Sequence, residues 1–320
     1  MADFWIDTDT ASDDAVALIM ALRSPAITVR GIGTVAGNVG VQQATKNALL
    51  CVELCGGDVP VFAGCDRPML RAPLDASWFH GRDGLSDVGF APQHAEPEPT
   101  HAVDALINRS RRYPGMTLVT LGPLTNVAAA LVRDPTLADR IGRCVIMGGN
   151  PNCVGNVTPA AEYNVWCDPE AAQIVLQSGM PIELVGWHLS RGQAVLNAAE
   201  IESMLSTGET LARFAVECNR TAMHAYATQT GEVGISLPDA TAMAVALEPS
   251  LALETSSHAV QVECHSELTR GMTVVDQLNV AADARNTPHW PHAGKPVKVV
   301  WTMDVAGYKR LLTATISGIE

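Results

Sequence analysis

Four carboxylates, Asp7, Asp9, Asp13 and Asp14, fall within the first fourteen residues, directly after the apolar run Phe4-Trp5-Ile6. Anions crowded this closely repel one another unless something positive sits among them, and oxygen ligands gathered at a turn suit a hard cation such as Ca2+ or Mg2+. The apolar run reads as the end of a buried strand. The segment that begins at Asp13 and continues through Ala15-Val16-Ala17-Leu18-Ile19-Met20-Ala21-Leu22 reads as a helix. Ser12 or Asp13 is its expected N-cap, and acidic residues in a first turn suit the positive end of the helix dipole. All four carboxylates then sit at or beside one strand-to-helix turn. Taken alone, the segment also admits a purely structural reading, as an acidic surface turn.

The elements that would position this turn alternate along the first 190 residues or so. Strands are expected at Ala2–Ile6, Val29–Val35, Val59–Ala63, Thr117–Leu121, Cys144–Met147 and Ile182–Val185. Helices are expected at Asp13–Leu22, Val41–Leu54, Ala102–Arg112, Leu124–Val132 and Pro169–Gln177. Such alternation predicts an open, mostly parallel, Rossmann-like α/β sheet with helices on both faces. Between about Cys65 and Thr100 the pattern fails, leaving a long loop that carries Trp78, Phe79 and His80; loops of that length in a compact domain usually serve function. Asn197 to about Tyr226 reads as helical, a candidate cap. Strands near Ala259–Glu263, Met272–Asp276 and Val297–Trp301 and a helix from Asp304 complete the chain. Ligands of open α/β sheets bind beyond the carboxyl ends of the strands. The loops there are rich in Asp, Asn and Gly and poor in Lys and Arg: Gly37-Asn38, Gly122 to Asn126, Gly148-Gly149-Asn150 and Gly186-Trp187-His188.

Composition narrows the function classes. A hydrophobic content of 47% over 320 residues supports a well-filled core rather than a disordered chain. A net charge of −13 argues against nucleic acid or an anionic membrane as partner, because both need clustered cations. The eight cysteines are scattered with no C-x-x-C pair. Cys51 and Cys55, at helical spacing among leucines, read as buried reduced thiols, and Cys153 and Cys167 as packing residues. No apolar run is long enough to span a bilayer, so a soluble, cytoplasmic protein is expected.

The ordered motifs resemble those of the nucleoside hydrolases, also called inosine-uridine-preferring N-ribohydrolases. That family opens on D-T-D-P-G-x-D-D-A, and Asp7 to Ala15 here reads DTDTASDDA. Thr34-Val35-Ala36-Gly37-Asn38, Gly122 to Asn126, Met147-Gly148-Gly149, Ala161-Glu162-Tyr163-Asn164, Asp168-Pro169-Glu170-Ala171-Ala172 and Pro238-Asp239 follow in family order, so the likeness runs from residue 3 to about residue 250. The resemblance implies one domain over residues 1–320, with 195–230 a helical cap over a base pocket. It also implies a tightly bound Ca2+, dimers or tetramers, and hydrolysis of the N-glycosidic bond of ribonucleosides. Carried over by position, Asp9, Asp14 and Asp239 are Ca2+ ligands, with the backbone carbonyl of Leu121 as a further one. Asp13, Asn38, Asn156, Glu162 and Asn164 match ribose-binding positions. The chemistry is coherent. Breaking a ribosyl C–N bond passes through an oxocarbenium-like state that surrounding anionic and amide oxygens stabilise. A carboxylate beside both metal and water, as Asp9 would be, can take the proton as general base.

Two departures matter. Thr10-Ala11 replaces the signature's Pro-Gly, so the turn must form with ordinary backbone angles. Pro238 stands where inosine- and uridine-preferring members carry a histidine able to protonate the leaving base, and proline offers no proton. His80, which matches a family histidine near the base, is the first alternative acid. Trp78 and Trp187 are candidate stacking platforms, His224 and Tyr226 lie on a helix that lines the base pocket in the family, and His188 is expected to make an outer hydrogen bond. Stacking without an acid favours purine nucleosides. Two rivals stay open at this stage. A D-x-D after an apolar strand also occurs in phosphoryl-transfer enzymes of the haloacid dehalogenase type, although the later strand ends offer no Lys or Arg for phosphate. The missing histidine also allows a nucleoside-binding or catalytically weak homologue, and pyrimidine nucleosides are the alternative substrates.

Overall fold

The computed structural model describes residues 1–151, 154–285 and 295–318. Its strands are β1 (Ala2–Thr8), β2 (Ile27–Thr34), β3 (Val61–Ala63), β4 (Met116–Thr120), β5 (Ile141–Met147), β6 (Ile182–Val185), β7 (Ala252–Val262), β8 (Thr273–Val275) and β9 (Pro296–Met303). Between the first three strands lie α1 (Ser12–Arg23) and α2 (Val41–Leu54), and before β4 come α3 (Ser77–His80) and α4 (Ala102–Arg112). Then follow α5 (Thr125–Arg133), α6 (Leu137–Arg140), α7 (Tyr163–Cys167) and α8 (Pro169–Leu176). The later helices are α9 (Ala198–Ser206), α10 (Thr210–Cys218), α11 (Arg220–Thr230), α12 (Pro238–Leu247) and α13 (Val305–Ser317). The strands form one sheet in the order β3-β2-β1-β4-β5-β6-β9-β7-β8. Every pairing from β3 through β9 is parallel, and β7 and β8 add an antiparallel edge.

Alternation along the strands builds two apolar layers. Phe4 and Ile6 of β1 join the core under α1, α2, α12 and α13, while Trp5 between them joins the core under α4, α5 and α8. The same division separates Val119 from Leu118 on β4, and Val145 from Cys144 and Ile146 on β5. Strand order reverses at β1, which pairs with β2 on one side and β4 on the other. The crevice at such a switch point is where the Asp-rich turn emerges.

Helix α12 is absent from the amphipathic pattern of the sequence, and the structure explains why. All of Asp239 to Ala246 is buried, between α1, α13 and β5. A helix covered on every side has no polar face to set a period. The expected N-cap of α1 is also corrected. Ala11, with φ −109°, is the cap residue, and the Asp14 carboxylate reaches back to its N–H at 3.0 Å. The turn indeed needs no left-handed residue in place of the signature glycine. The 65–100 segment is a loop apart from the single turn of α3, and the expected cap resolves into α9, α10 and α11. Strand β7 begins seven residues earlier than Ala259, because the exposed Glu254-Thr255-Ser256-Ser257 stretch lacks apolar alternation yet pairs with β9. Cys51 is buried and unbridged as expected, and Cys153 lies outside the described residues. Among the described residues, no helix is long and apolar enough to cross a membrane.

Close packing by small side chains in α12 leaves no room for growth. Ala244 has no exposed surface, so Ala244→Leu is expected to destabilise the protein by about 1–3 kcal/mol. Urea unfolding should show a lower midpoint with an unchanged slope; an unchanged midpoint would contradict this packing.

Candidate active site

Two helices begin at the same point. Asp13 and Asp14 occupy the first turn of α1, and Asp239 the first turn of α12, immediately after Pro238 at a position where a missing N–H costs nothing. Both positive helix ends therefore face one cluster of carboxylates. Single oxygens of Asp13, Asp14 and Asp239 lie within 4.8 Å of one another, a group that could hold a metal ion. Asp9 enters from the end of β1. Its Oδ2 accepts the Asn38 N–H at 2.6 Å, and it lies close enough to raise the pKa of Asp239. Asp14 accepts from the Thr8 hydroxyl at 2.5 Å and from Asn38 Nδ2 at 3.4 Å.

Backbone approaches closely around Asp9. A Cβ on Gly37 would lie 2.1 Å from Asp9 Oδ2, and one on Gly122 would lie 2.6 Å from Oδ1. Glycine is needed at both places because any side chain would displace the carboxylate. Behind it, Asn126 Nδ2 donates to Asp7 Oδ2 at 3.1 Å and to the Thr34 carbonyl at 2.9 Å, while its Oδ1 accepts from the Cys65 N–H at 2.8 Å. One buried amide thus ties the ends of β1, β2 and β3 together.

Electrostatically the cluster is unfinished. Burial, then repulsion by Asp14, lifts Asp13 to about 7, and burial lifts Asp7 to about 7 against its bond from Asn126. Burial and neighbouring carboxylates hold Asp9 and Asp239 well above the ordinary carboxylate range. Two unit charges 4.8 Å apart repel by about 3–4 kcal/mol at an effective dielectric of 20. Asp9 Oδ1 and Asp13 Oδ1 are buried without a hydrogen-bond partner among the described residues. Orphaned anionic oxygens gathered in one place fit a cation, and this donor set is all oxygen.

The cluster forms one end of a solvent-open cleft lined by polar side chains at that end and by aromatic ones at the other. Of the residues matched to ribose positions, Asp13, Asn38, Asn156, Glu162 and Asn164 all line it, as do Leu121 and Asp239. Asp9 and Asp14 lie fully buried and are not among its lining residues. The Leu121 carbonyl accepts from Asn164 Nδ2 at 2.7 Å and keeps its second lone pair. Glu162 caps α7. Its Oε1 accepts the Asn164 N–H at 2.9 Å and its Oε2 the Gly149 N–H at 2.8 Å, yet burial still lifts it to about 7.

The other end is aromatic. Trp187 is buried in the wall, with the Arg191 guanidinium 4.9 Å from its ring centroid, and Trp78 is 64% exposed at the rim. Tyr226 lines the cleft and donates its hydroxyl to Glu232. His224 does not line it and is exposed. Two residues apart on a helix means about 200° of rotation, so α11 can turn only one of them to the cleft. His188 also lies outside the lining, and its ring has no hydrogen-bonding side-chain partner among the described residues. His80 is buried in the cleft wall, its Nδ1 2.8 Å from Ser12 Oγ and 3.9 Å from Asp13 Oδ1. Burial pushes its pKa down to about 3. Burial thus keeps the imidazole neutral in the protein without a bound nucleoside or ion. Sequence reasoning did not single out Ser12, Phe79, Tyr163, Asn219 or Gln229, which also line the cleft. Ser12 and Tyr163 sit inside the matched motifs, whereas Asn219 and Gln229 carry no local signal.

Residues 4–310 match the family model described as inosine-uridine preferring nucleoside hydrolase. The chain belongs to this family. It is 34% identical to uridine nucleosidase 1 of Arabidopsis thaliana, over 97% of this chain and 92% of that protein. Among solved structures it is similar to a plant nucleoside hydrolase, with a TM-score of 0.90 and 33% identity over 99% of both chains. It is also similar to a purine-preferring ribonucleoside hydrolase from Gardnerella vaginalis, with a TM-score of 0.88 and 30% identity over 99% of this chain and 98% of that one. As a nucleoside hydrolase, the protein is a hydrolase acting on the N-glycosidic bond.

The raised carboxyl pKa values give stability a definite pH dependence. Without metal, the native state keeps protons on Asp7, Asp13 and Glu162 up to about pH 7, whereas the unfolded chain releases them near pH 4. Native protein binds more protons in that window, so stability falls as pH rises through it. In a chelator, the melting temperature should drop between pH 5 and pH 8; excess divalent cation, which binds the deprotonated ligands, should raise it most at pH 8. Equal melting temperatures at pH 8 with and without cation would refute a metal site here.

Proposed function

We propose that this nucleoside hydrolase is a Ca2+-dependent ribohydrolase that cleaves ribonucleosides, with a modest purine preference, to free base and ribose. The observation that carries this reading is the convergence of Asp13, Asp14 and Asp239 at the polar end of the cleft, with Asp9 beside them and oxygens of Asp9 and Asp13 left orphaned. An all-oxygen donor set without His or Cys suits Ca2+ better than Zn2+, and irregular carboxylate and carbonyl ligands suit Ca2+ better than the strict octahedron of Mg2+. Asp9, Asp14, Asp239 and the Leu121 carbonyl would hold the ion. When bound, Ca2+ would acidify a water and neutralise the carboxylates.

The remaining work falls to the chain. Asp9 keeps Oδ1 free while Oδ2 is held by the Asn38 N–H, so one oxygen is fixed and the other is available to accept a proton. Asp13, Asn38 and Asn164 present oxygens and amides that suit ribose hydroxyls. A 2′-deoxyribose would leave such buried polar groups unpaired and bind far less well. The carboxylates of Asp13 and Glu162, which both line the cleft, would stabilise positive charge on an oxocarbenium-like ribose. Neither Pro238 nor the neutral His80 supplies a proton to the base. Departure then relies on the aromatic wall of Trp78, Phe79, Trp187 and Tyr226, which favours the larger face of a purine. The kinship with a protein named uridine nucleosidase makes uridine the decisive competitor.

Chelation should abolish release of reducing sugar from inosine, and Ca2+ should restore it. Asp9→Asn, which keeps a metal-facing oxygen but cannot accept a proton, should lower kcat by about 10²–10⁴-fold with a smaller effect on KM. Wild-type turnover in that variant would move the base role to another carboxylate.

Across inosine, adenosine, guanosine, uridine and cytidine, the purines should give the higher kcat/KM; a large advantage for uridine would overturn the stacking argument. His80→Ala should reduce turnover of inosine and of p-nitrophenyl riboside, whose leaving group needs no proton, by similar factors. Selective loss with inosine would restore His80 as the acid.

A further inference from the structure

Tyr163 occupies a position that its place between Glu162 and Asn164 does not by itself explain. Its backbone N–H donates to Asn156 Oδ1 at 2.8 Å, and its ring lines the cleft. Its hydroxyl lies 3.0 Å from the Gly37 carbonyl and 2.9 Å from the Leu74 carbonyl. These carbonyls belong to different segments. Gly37 precedes Asn38 at the end of β2, and Leu74 belongs to the long loop that continues into Trp78, Phe79 and His80. A second bond closes the circuit, since the Ala76 N–H donates to the Asn38 carbonyl at 3.0 Å.

We propose that the Tyr163 hydroxyl is a positioning group for the hydrolytic reaction, latching the loop of the base wall to the ribose floor. This rests on the nucleoside hydrolase reading of the cleft. A hydroxyl carries one proton and both carbonyls are acceptors, with the Cys167 thiol a third polar neighbour, so the proton is shared between the carbonyls or alternates. Sharing holds Leu74 and Gly37 at one distance. Through Ala76 and Asn38 it also sets the spacing between the loop and the carboxylate cluster, because the Asn38 N–H holds Asp9. Removing the hydroxyl leaves two carbonyls without this donor, while the ring that fills the space remains. The loop should then open more often, and a ligand must close it again on binding. The effect therefore falls on binding rather than on the chemical step. Tyr163 touches neither the reacting bond nor the metal in this account.

Tyr163→Phe tests the latch. Amide hydrogen exchange would be measured on Ca2+-loaded protein without substrate, with α1 as the internal reference for the fold. The loss of one such bond predicts exchange at Ala76 faster by about 3- to 10-fold, with α1 unchanged. KM for inosine and uridine should rise by a similar factor, with kcat within about twofold of the parent. Unchanged exchange at Ala76 overturns the proposal. So does faster exchange in α1 to the same extent, or loss of α1 protection altogether, because the hydroxyl would then support the whole fold. A loss confined to kcat would overturn it too, by placing the residue in the chemistry. Failure of the parent protein to hydrolyse any nucleoside would refute the functional reading alone, since the exchange comparison needs no turnover.

Discussion

Four buried carboxylates at a single point are the constraint around which the rest of this molecule is arranged. No sequence would place Asp9, Asp13, Asp14 and Asp239 together for stability, because each raises the cost of ionising the others. The fold softens this cost with fixed dipoles. Two helices start at the cluster, the Asn38 N–H and the Thr8 hydroxyl donate into it, and Ala11 N–H binds Asp14. These groups lower the penalty without removing it, since two oxygens stay orphaned. What the protein lacks is positive charge, and the nearest side chain that could carry one, His80, is kept neutral by burial. An ion could supply that charge in a space that a lysine or arginine side chain would fill.

Holding such a cluster needs a rigid frame, and the sheet supplies it at its switch point. Asp7 of β1 is fixed from both sides by parallel pairing, with Gly33 of β2 and Thr120 of β4, and Asp9 follows just beyond the strand end. Asn126 then crosses behind them and binds Asp7, Thr34 and Cys65 together. Gly37 and Gly122 let two further chain segments approach Asp9 more closely than any other residue permits. Each device is modest, about 0.5–1.5 kcal/mol for a typical hydrogen bond. Their value lies in geometry: a carboxylate free to rotate would pair with a neighbour or with water.

Much of this was legible in the sequence because it is local. The strand, the Asp-rich turn and α1 are contiguous, and the succession of strand-like and helix-like segments pointed to the two helical layers that the structure shows. The carboxylates of the turn could be recognised as a group before any fold was known. Asp239 could be joined to them only through family resemblance, because α12 is buried on every side and shows no periodicity. What escaped sequence reasoning depends on rotation and burial. His224 and Tyr226 look equivalent in the chain, yet they point about 200° apart on α11. The burial of His80 could not be read from its place in a long loop, and the bonds of the Tyr163 hydroxyl join segments that are distant in sequence.

The two ends of the cleft are built by different means, and this bears on how the family varies. The carboxylate end rests on strand termini and helix starts whose positions the sheet fixes, so a change there disturbs the cluster as well. The aromatic end is made by the 65–100 loop, by Trp187 beyond β6 and by α11, none of which holds a carboxylate of the cluster. Substitutions in those segments can reshape the aromatic wall while leaving the carboxylate end intact. That division is compatible with similar proteins of which one is named a uridine nucleosidase and another a purine-preferring hydrolase. It also assigns Pro238 its place. As the first residue of α12 it starts the helix that carries Asp239, so the position serves the geometry of the carboxylate cluster although its side chain carries no proton to give.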